Sequence, residues 1–308
     1  MKNAFPDRIG SFTIHKVVTS DGIIEYAFAT NDITYQDKLL KIFNRELLKN
    51  DGLESELDEE LKTVQTLVSR GLPTVAKVFQ ENQFDVIVMD DLPNGNLTDY
   101  LNVKKNMLYN DKIKLCVRIL DGLICLHEHG MYHGCLNPDN IYFDSYGNPK
   151  LIGYGLHIKN QSAELRNLIY RAPEEVKLQR LNNKEADMWS FGLIAHQIVA
   201  DSFPFIIDDT QQYIKTLISD QQISLISVGG ILDKIVERCL DPNPDTRITS
   251  DRAKEMFETI KEYKTIFSKS LAAIPRVPKP MRQPVPNCTI TLQGTISKRY
   301  RSRRYESI

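Results

Sequence analysis

The side chains best suited to chemistry cluster in one stretch, His133-Gly-Cys135-Leu-Asn137-Pro-Asp139-Asn140, followed shortly by Gly153-Tyr154-Gly155. Cys135 could act as a nucleophile only as its thiolate, and an ordinary thiol pKa of about 8.5 keeps it mostly protonated at neutral pH. No basic residue beside it in the stretch favours the thiolate, so a buried structural thiol is the stronger reading. Asn137 and Asn140 offer amide donors and acceptors but no charge. Upstream, Lys41 interrupts the apolar run Leu39-Leu-Lys-Ile-Phe43, where it is either a solvated lysine or a buried cation that needs a partner. Acidic candidates for that partner crowd one segment: Glu54, Glu56, Asp58, Glu59 and Glu60. The five cysteines are odd in number and lack paired spacing, which suits a reducing compartment, and no Cys/His cluster has the spacing of a zinc site.

The elements that must position these groups follow from periodicity. Residues 12–18 read as a strand, Asp21-Gly22 as a turn, and residues 26–29 as the start of a second strand. A third strand covers 38–43. Leu57, Leu61, Val64 and Leu67 fall at helical spacing and predict a helix over 53–67. Two further strands are expected at 74–80 and 86–89, then a polar linker from Asp90 to Asn96 and a short helix from Thr98. Residues 111–129 form a long amphipathic pattern whose histidines and cysteines, His127 among them, read as packing or surface residues.

The 308 residues suffice for one or two domains. Hydrophobic content of 42% and charged content of 26% are those of an ordinary globular chain. No secretory leader is expected from the polar first residues, and no apolar stretch is long enough to span a bilayer. From Ala273 onward eight Lys or Arg face one acidic residue, so a tail of formal charge +7 leaves −8 on the body of a chain whose net charge is −1. That tail is Pro-rich and then basic, ending in Lys298-Arg-Tyr-Arg-Ser-Arg-Arg304, a composition that predicts disorder. It could contact an anionic surface or nucleic acid, or simply be solvated.

The stretch from His133 to Gly155 resembles the catalytic loop and metal-binding segment of the eukaryotic-type protein kinase family, whose pattern is His-Arg-Asp, a Lys, an Asn and then Asp-Phe-Gly. Here Gly134, Cys135, Asn137 and Gly153 stand in the positions of the Arg, the catalytic Asp, the Lys and the metal-binding Asp. Further matches are Arg171-Ala-Pro-Glu174, Asp187-Met-Trp-Ser-Phe-Gly192 and Cys239-Leu-Asp-Pro-Asn-Pro-Asp-Thr-Arg247. The chain is identified as a degenerate member of the family, a pseudokinase. The resemblance implies a bilobal α+β fold: a small N-lobe with an antiparallel sheet and one helix, and a larger, mainly helical C-lobe. It covers 9–263, with an N-lobe at 9–89, a hinge at 90–96, a C-lobe at 97–263 and the tail at 264–308.

By the same resemblance Lys41 matches the lysine that holds the nucleotide phosphates, with Glu60 (or its neighbour Glu59) as its partner. Asn140 is left as a weak metal ligand because its partner position is Gly153. The glycine loop keeps only Gly22, off register, with Asp21 close to where phosphate would lie. Structural roles fall to His133, Tyr154, Asp187, Val64 and Val78, and to an ion pair between Glu174 and Arg247. Tyr26, Leu39 and Tyr142 align with the Val, Ala and Leu that line the family's adenine site, so they are expected to fill it. The shortened segment 156–171 and the loss of Arg at Gly134 imply no switching by loop phosphorylation, although Ser162 and Tyr170 are present. The expectation is a scaffold or allosteric partner in signalling that requires no cofactor, binds no Mg2+ and meets protein partners inside the cell, in cytoplasm or nucleus. The alternatives are a divergent serine/threonine kinase using ATP, or a nucleotide sensor.

Overall fold

A computed structural model describes residues 5–103, 107–156, 168–178, 183–205, 210–219, 226–227 and 229–260. The N-lobe is a six-stranded antiparallel sheet in the order β1-β2-β3-β4-β6-β5. The strands are β1 (Arg8–Ile9), β2 (Phe12–Ser20), β3 (Ile24–Asn31), β4 (Asp37–Asn44), β5 (Val75–Glu81) and β6 (Phe84–Asp90). Both faces are apolar. The outer one is built on Ile9, Phe12, Leu40, Ile42, Phe84 and Val86, and Phe5 packs its ring on Phe84 at 5.7 Å. The inner one carries Tyr26, Phe28, Leu39, Phe43 and Met89 into the main core.

The link from β2 to β3 is a tight turn. The Asp21 carboxylate accepts hydrogen bonds from the amides of Ile23 (2.8 Å) and Ile24 (2.7 Å). This side-chain staple replaces the open backbone arc that a phosphate-binding glycine loop needs.

A short helix absent from the sequence reading, α1 (Arg45–Asn50), starts where Asn44 caps the Leu47 amide. The next helix, α2 (Glu54–Thr63), is shorter than expected. Threonine hydroxyls compete for the backbone at its end: Thr63 donates to Glu59 O and Thr66 to Thr63 O. Leu67 therefore lies beyond the helix but remains buried. The loop that follows docks on the C-lobe, with Ser69 Oγ donating to Asp121 O at 2.8 Å and Leu151 N donating to Gly71 O at 2.8 Å.

Among its described residues the C-lobe contains α3 (Leu97–Val103), α4 (Tyr109–Glu128), the hairpin of β7 (Ile141–Phe143) and β8 (Pro149–Leu151), and five later helices. These are α5 (Pro173–Leu178), α6 (Lys184–Ala200), α7 (Thr210–Ile218), α8 (Ile231–Cys239) and α9 (Ser250–Glu258). Helix α6 is apolar almost all round, as befits a helix at the centre of a lobe. The result is the bilobal α+β architecture expected. Among the described residues no helix is long and apolar enough to cross a membrane. The tail from 264 and Ser162 lie outside the described residues.

Candidate functional site

Strand β4 carries Lys41 to the floor of the cleft between the lobes, and α2 brings Glu60 opposite it. Lys41 Nζ lies 2.5 Å from Glu60 Oε1 and donates to the Tyr154 carbonyl at 2.7 Å. Both side chains are almost wholly buried, the residues being 2% and 5% exposed. The ammonium also sits over the rings of Phe43 (4.8 Å) and Tyr26 (5.4 Å). Burial pushes the Lys41 pKa down, and Glu60 opposes that shift. The other carboxylate oxygen, Glu60 Oε2, accepts from Leu156 N at 2.6 Å. This approach needs a glycine: at Gly155 (φ +87°) a Cβ would lie 2.6 Å from the Glu60 carboxyl carbon.

Antiparallel register sets Tyr26 across from Lys41, and Phe28 across from Leu39. The Tyr26 hydroxyl reaches the Tyr154 carbonyl at 3.4 Å, so the phenol stands beside the lysine. The Phe28 ring lies 5.9 Å from that of Tyr142. Leu39, Phe28, Tyr142 and Met89 are all buried there. Sequence reasoning missed Phe28. The signal was available in strand alternation, since residues two apart share a face.

The catalytic loop is closed by amides. Asn137 Oδ1 accepts from Asp139 N (2.8 Å) and Asn140 N (3.2 Å), capping the 3-10 turn Pro138–Asn140. Its Nδ2 and that of Asn140 both donate to Cys135 O, at 3.1 and 2.8 Å. The Asn140 Nδ2 is thus engaged by the loop itself. The Cys135 sulfur lies 3.6 Å from Asn140 Nδ2, and burial pushes its pKa up, with Arg171 partly offsetting. A protonated thiol is a weak acceptor and carries no charge. Gly153 has φ +85°, and a Cβ there would lie 3.1 Å from Asn140 Nδ2. A carboxylate at this position would meet both an unfavourable backbone and a crowded neighbour.

Beneath the loop the structural residues converge. Asp187, at the start of α6, accepts from the backbone amides of His133 (2.7 Å) and Gly134 (2.8 Å). His127 on α4 bridges Asp187 (3.0 Å) and Ser250 on α9 (3.1 Å). This role was not read from the sequence, where His127 looked like packing. The His133 ring meets Tyr154 edge-on at 6.4 Å. Burial drops the His133 pKa to about 4, with Asp187 opposing, so its ring is neutral at pH 7. Val64 is buried and Val78 half-buried against the same core. Arg247 grips Glu174 bidentately at 2.6 and 3.0 Å, donates to the Asp241 and Glu185 carbonyls, and lies 5.3 Å from the Trp189 ring.

Residues 29–259 match the family model described as protein kinase domain. A CBL-interacting serine/threonine-protein kinase 3 of Arabidopsis thaliana is 25% identical over 267 residues, covering 83% of this chain and 60% of the relative. A CBL-interacting serine/threonine-protein kinase 21 of the same plant is 27% identical over 249 residues, covering 79% and 59%. A CBL-interacting protein kinase 21 of Oryza sativa subsp. japonica is 28% identical over 229 residues, covering 71% and 43%. The chain therefore spans less than two thirds of the length of these relatives.

Proposed function

This chain belongs to the protein kinase family, and from that premise we propose that it is a pseudokinase, a kinase fold used as a binding module or allosteric partner in signalling. One observation carries the reading. The Lys41 ammonium donates to a carboxylate and a backbone carbonyl, and the Tyr26 ring lies 5.4 Å from it. A lysine that is to hold α- and β-phosphates must present a donor to them. Here the phenol of Tyr26 stands beside the lysine, and Phe28, Leu39 and Tyr142 crowd the base site.

The donor set speaks against a magnesium–nucleotide as well. Magnesium takes carboxylates together with phosphate oxygens. Gly153 supplies none, which leaves the neutral Asn140 Oδ1 without a carboxylate beside it. Cys135 cannot take the acceptor proton as a carboxylate would. Losing the general base and the charge stabilisation together removes many orders of magnitude in rate, though not additively. Partners are then proteins. The CBL-interacting relatives are named for a protein partner of their own, which favours a partner-binding role in this chain without identifying the partner.

A divergent serine/threonine kinase is the second reading, favoured by the intact Lys41–Glu60 pair and by the relatives' names. A phosphotransfer assay with ATP separates the two. The natural chain is expected to transfer nothing above background, and neither Cys135→Asp nor Gly153→Asp restores transfer. Robust transfer that Lys41→Ala abolishes would overturn the proposal.

A further inference from the structure

A small polar cavity lies beneath the catalytic loop, and one of its groups, Glu175, takes no part in the cleft. It is a small cavity of about 10 Å3 lined by Cys135, Asn137, Arg171, Glu175, Asp187 and Ser190, among others, room for about one water molecule. Glu175 belongs to the first turn of α5, next to Glu174. The two acids have opposite fates: Glu174 meets Arg247, whereas Glu175 turns inward and is 6% exposed. Its Oε2 accepts one hydrogen bond, from Ala172 N at 3.0 Å. Among the described residues no ion pair engages it.

The charged groups facing Glu175 are Arg171, Asp187 and Glu174, with the Cys135 thiol across the cavity. Burial pushes Glu175 up to about 7. Asp187 and Glu174 add to the rise, and the Ala172 amide and Arg171 oppose it. A neutral acid suits this cavity. A carboxylate there faces the fixed charge of Asp187, which the catalytic-loop amides and His127 hold in place.

We propose that Glu175 is a proton-operated latch between residues 168–178 and the catalytic loop: its neutral acid keeps the cavity closed, and its carboxylate draws water in and loosens the segment. The latch works whether or not the cleft transfers phosphate. It would make the face formed by residues 168–178 respond to pH near neutrality.

The sign follows from linkage. The closed form holds a proton up to about pH 7, and the open form, with an ordinary carboxyl, releases it near 4.5. Opening therefore becomes more favourable as pH rises between those values, by at most about tenfold per unit, and levels off above 7. Hydrogen exchange of the full chain, followed by mass spectrometry from pH 5 to 8 and corrected for intrinsic rates, reads this directly. In the natural chain, protection of peptides covering 168–178 falls with rising pH and flattens near 7. In Glu175→Gln it is flat throughout. Arg171→Gln, which keeps the acid and removes its favourable cation, moves the break to higher pH. A flat profile in the natural chain, an unchanged slope in Glu175→Gln, or a break unmoved in Arg171→Gln each overturns the latch.

Discussion

Two buried ion pairs in this chain have opposite surroundings. Glu174–Arg247 lies deep in the C-lobe, with carbonyls and the Trp189 ring taking the remaining donors of the guanidinium. Its neighbours are those its structural role requires. Lys41–Glu60 is equally buried, but in a cleft where the family keeps space for a ligand. There Tyr26 stands beside the lysine, and Phe28, Leu39 and Tyr142 are buried nearby. Selection for a fold preserves pairs whose loss leaves a charge stranded in apolar surroundings. Selection for a reaction preserves empty space and exposed charge, which do nothing for stability. The C-lobe pair shows the first kind of constraint, and under the proposed pseudokinase reading the cleft is released from the second.

The hardest way to break this comparison is to remove the C-lobe pair. Arg247→Ala strands Glu174 and leaves the Asp241 and Glu185 carbonyls without their donor. Stability should fall by about 3–5 kcal/mol, the cost of breaking a buried pair from one side, read as a lowered midpoint in urea at constant slope. A change under about 1 kcal/mol would mean that the pair is not the anchor its geometry indicates.

Next comes the packing of the cleft. Leu39 is fully buried between strands β3 and β6. Leu39→Ala should cost about 2–5 kcal/mol, as for any well-packed core leucine. Adenosine at millimolar concentration is then expected to recover part of the loss, because the vacated space lies where a base would sit. Thermal unfolding with and without adenosine measures this. A full loss without recovery would place the cavity away from any base site.

The two regions were not equally legible in the sequence. Arg171-Ala-Pro-Glu174, Asp187 and Arg247 announce themselves because each stands in a short local pattern, and the fold follows from their order. The cleft was legible for what is missing, since Cys135, Asn137 and Gly153 can be read in place. What fills it depends on register across β3 and β4. That register is set by the connection from Asn31 to Asp37, where Asn31 N donates to Gln36 O and Tyr35 N to Asn31 O, and no local motif announces which rings it brings together. His127 was opaque for another reason: its partners Asp187 and Ser250 lie 60 and 123 residues away, and nothing local marks them. Glu175 looked like a second surface acid beside Glu174, because sequence does not say which of two adjacent carboxylates turns inward.

His133 sharpens the comparison through pH. Its folded pKa of about 4 lies below the ordinary value of 6.5. The folded chain therefore binds fewer protons than the unfolded one between these values. The contribution of His133 is complete above pH 6.5 and is lost as pH falls toward 4, amounting to about 3 kcal/mol. Glu175 acts with the opposite sign over an overlapping window, so the Glu175→Gln background isolates the histidine. In that background, His133→Phe should flatten the acid limb of stability against pH. An unchanged limb would mean that His133 is not the buried neutral ring described.

The smallest expected effect is also the most decisive for function: the response of the natural chain to ATP, with and without magnesium. A ligand present at one hundred times its dissociation constant adds about 2.7 kcal/mol, several degrees in the unfolding midpoint of a domain this size. No shift is expected in either condition, because nucleotide would have to expel Tyr26 and the packed rings of Phe28 and Tyr142 and compete with Glu60 and the Tyr154 carbonyl for the donors of Lys41. A shift that needs no magnesium would keep the pseudokinase reading but turn the cleft into a nucleotide sensor, with Tyr26 displaced on binding. A shift that requires magnesium would demand a second metal ligand beside Asn140. Gly153 cannot provide one, so the closed geometry of the Lys41 cage would then be only one of two states of the cleft.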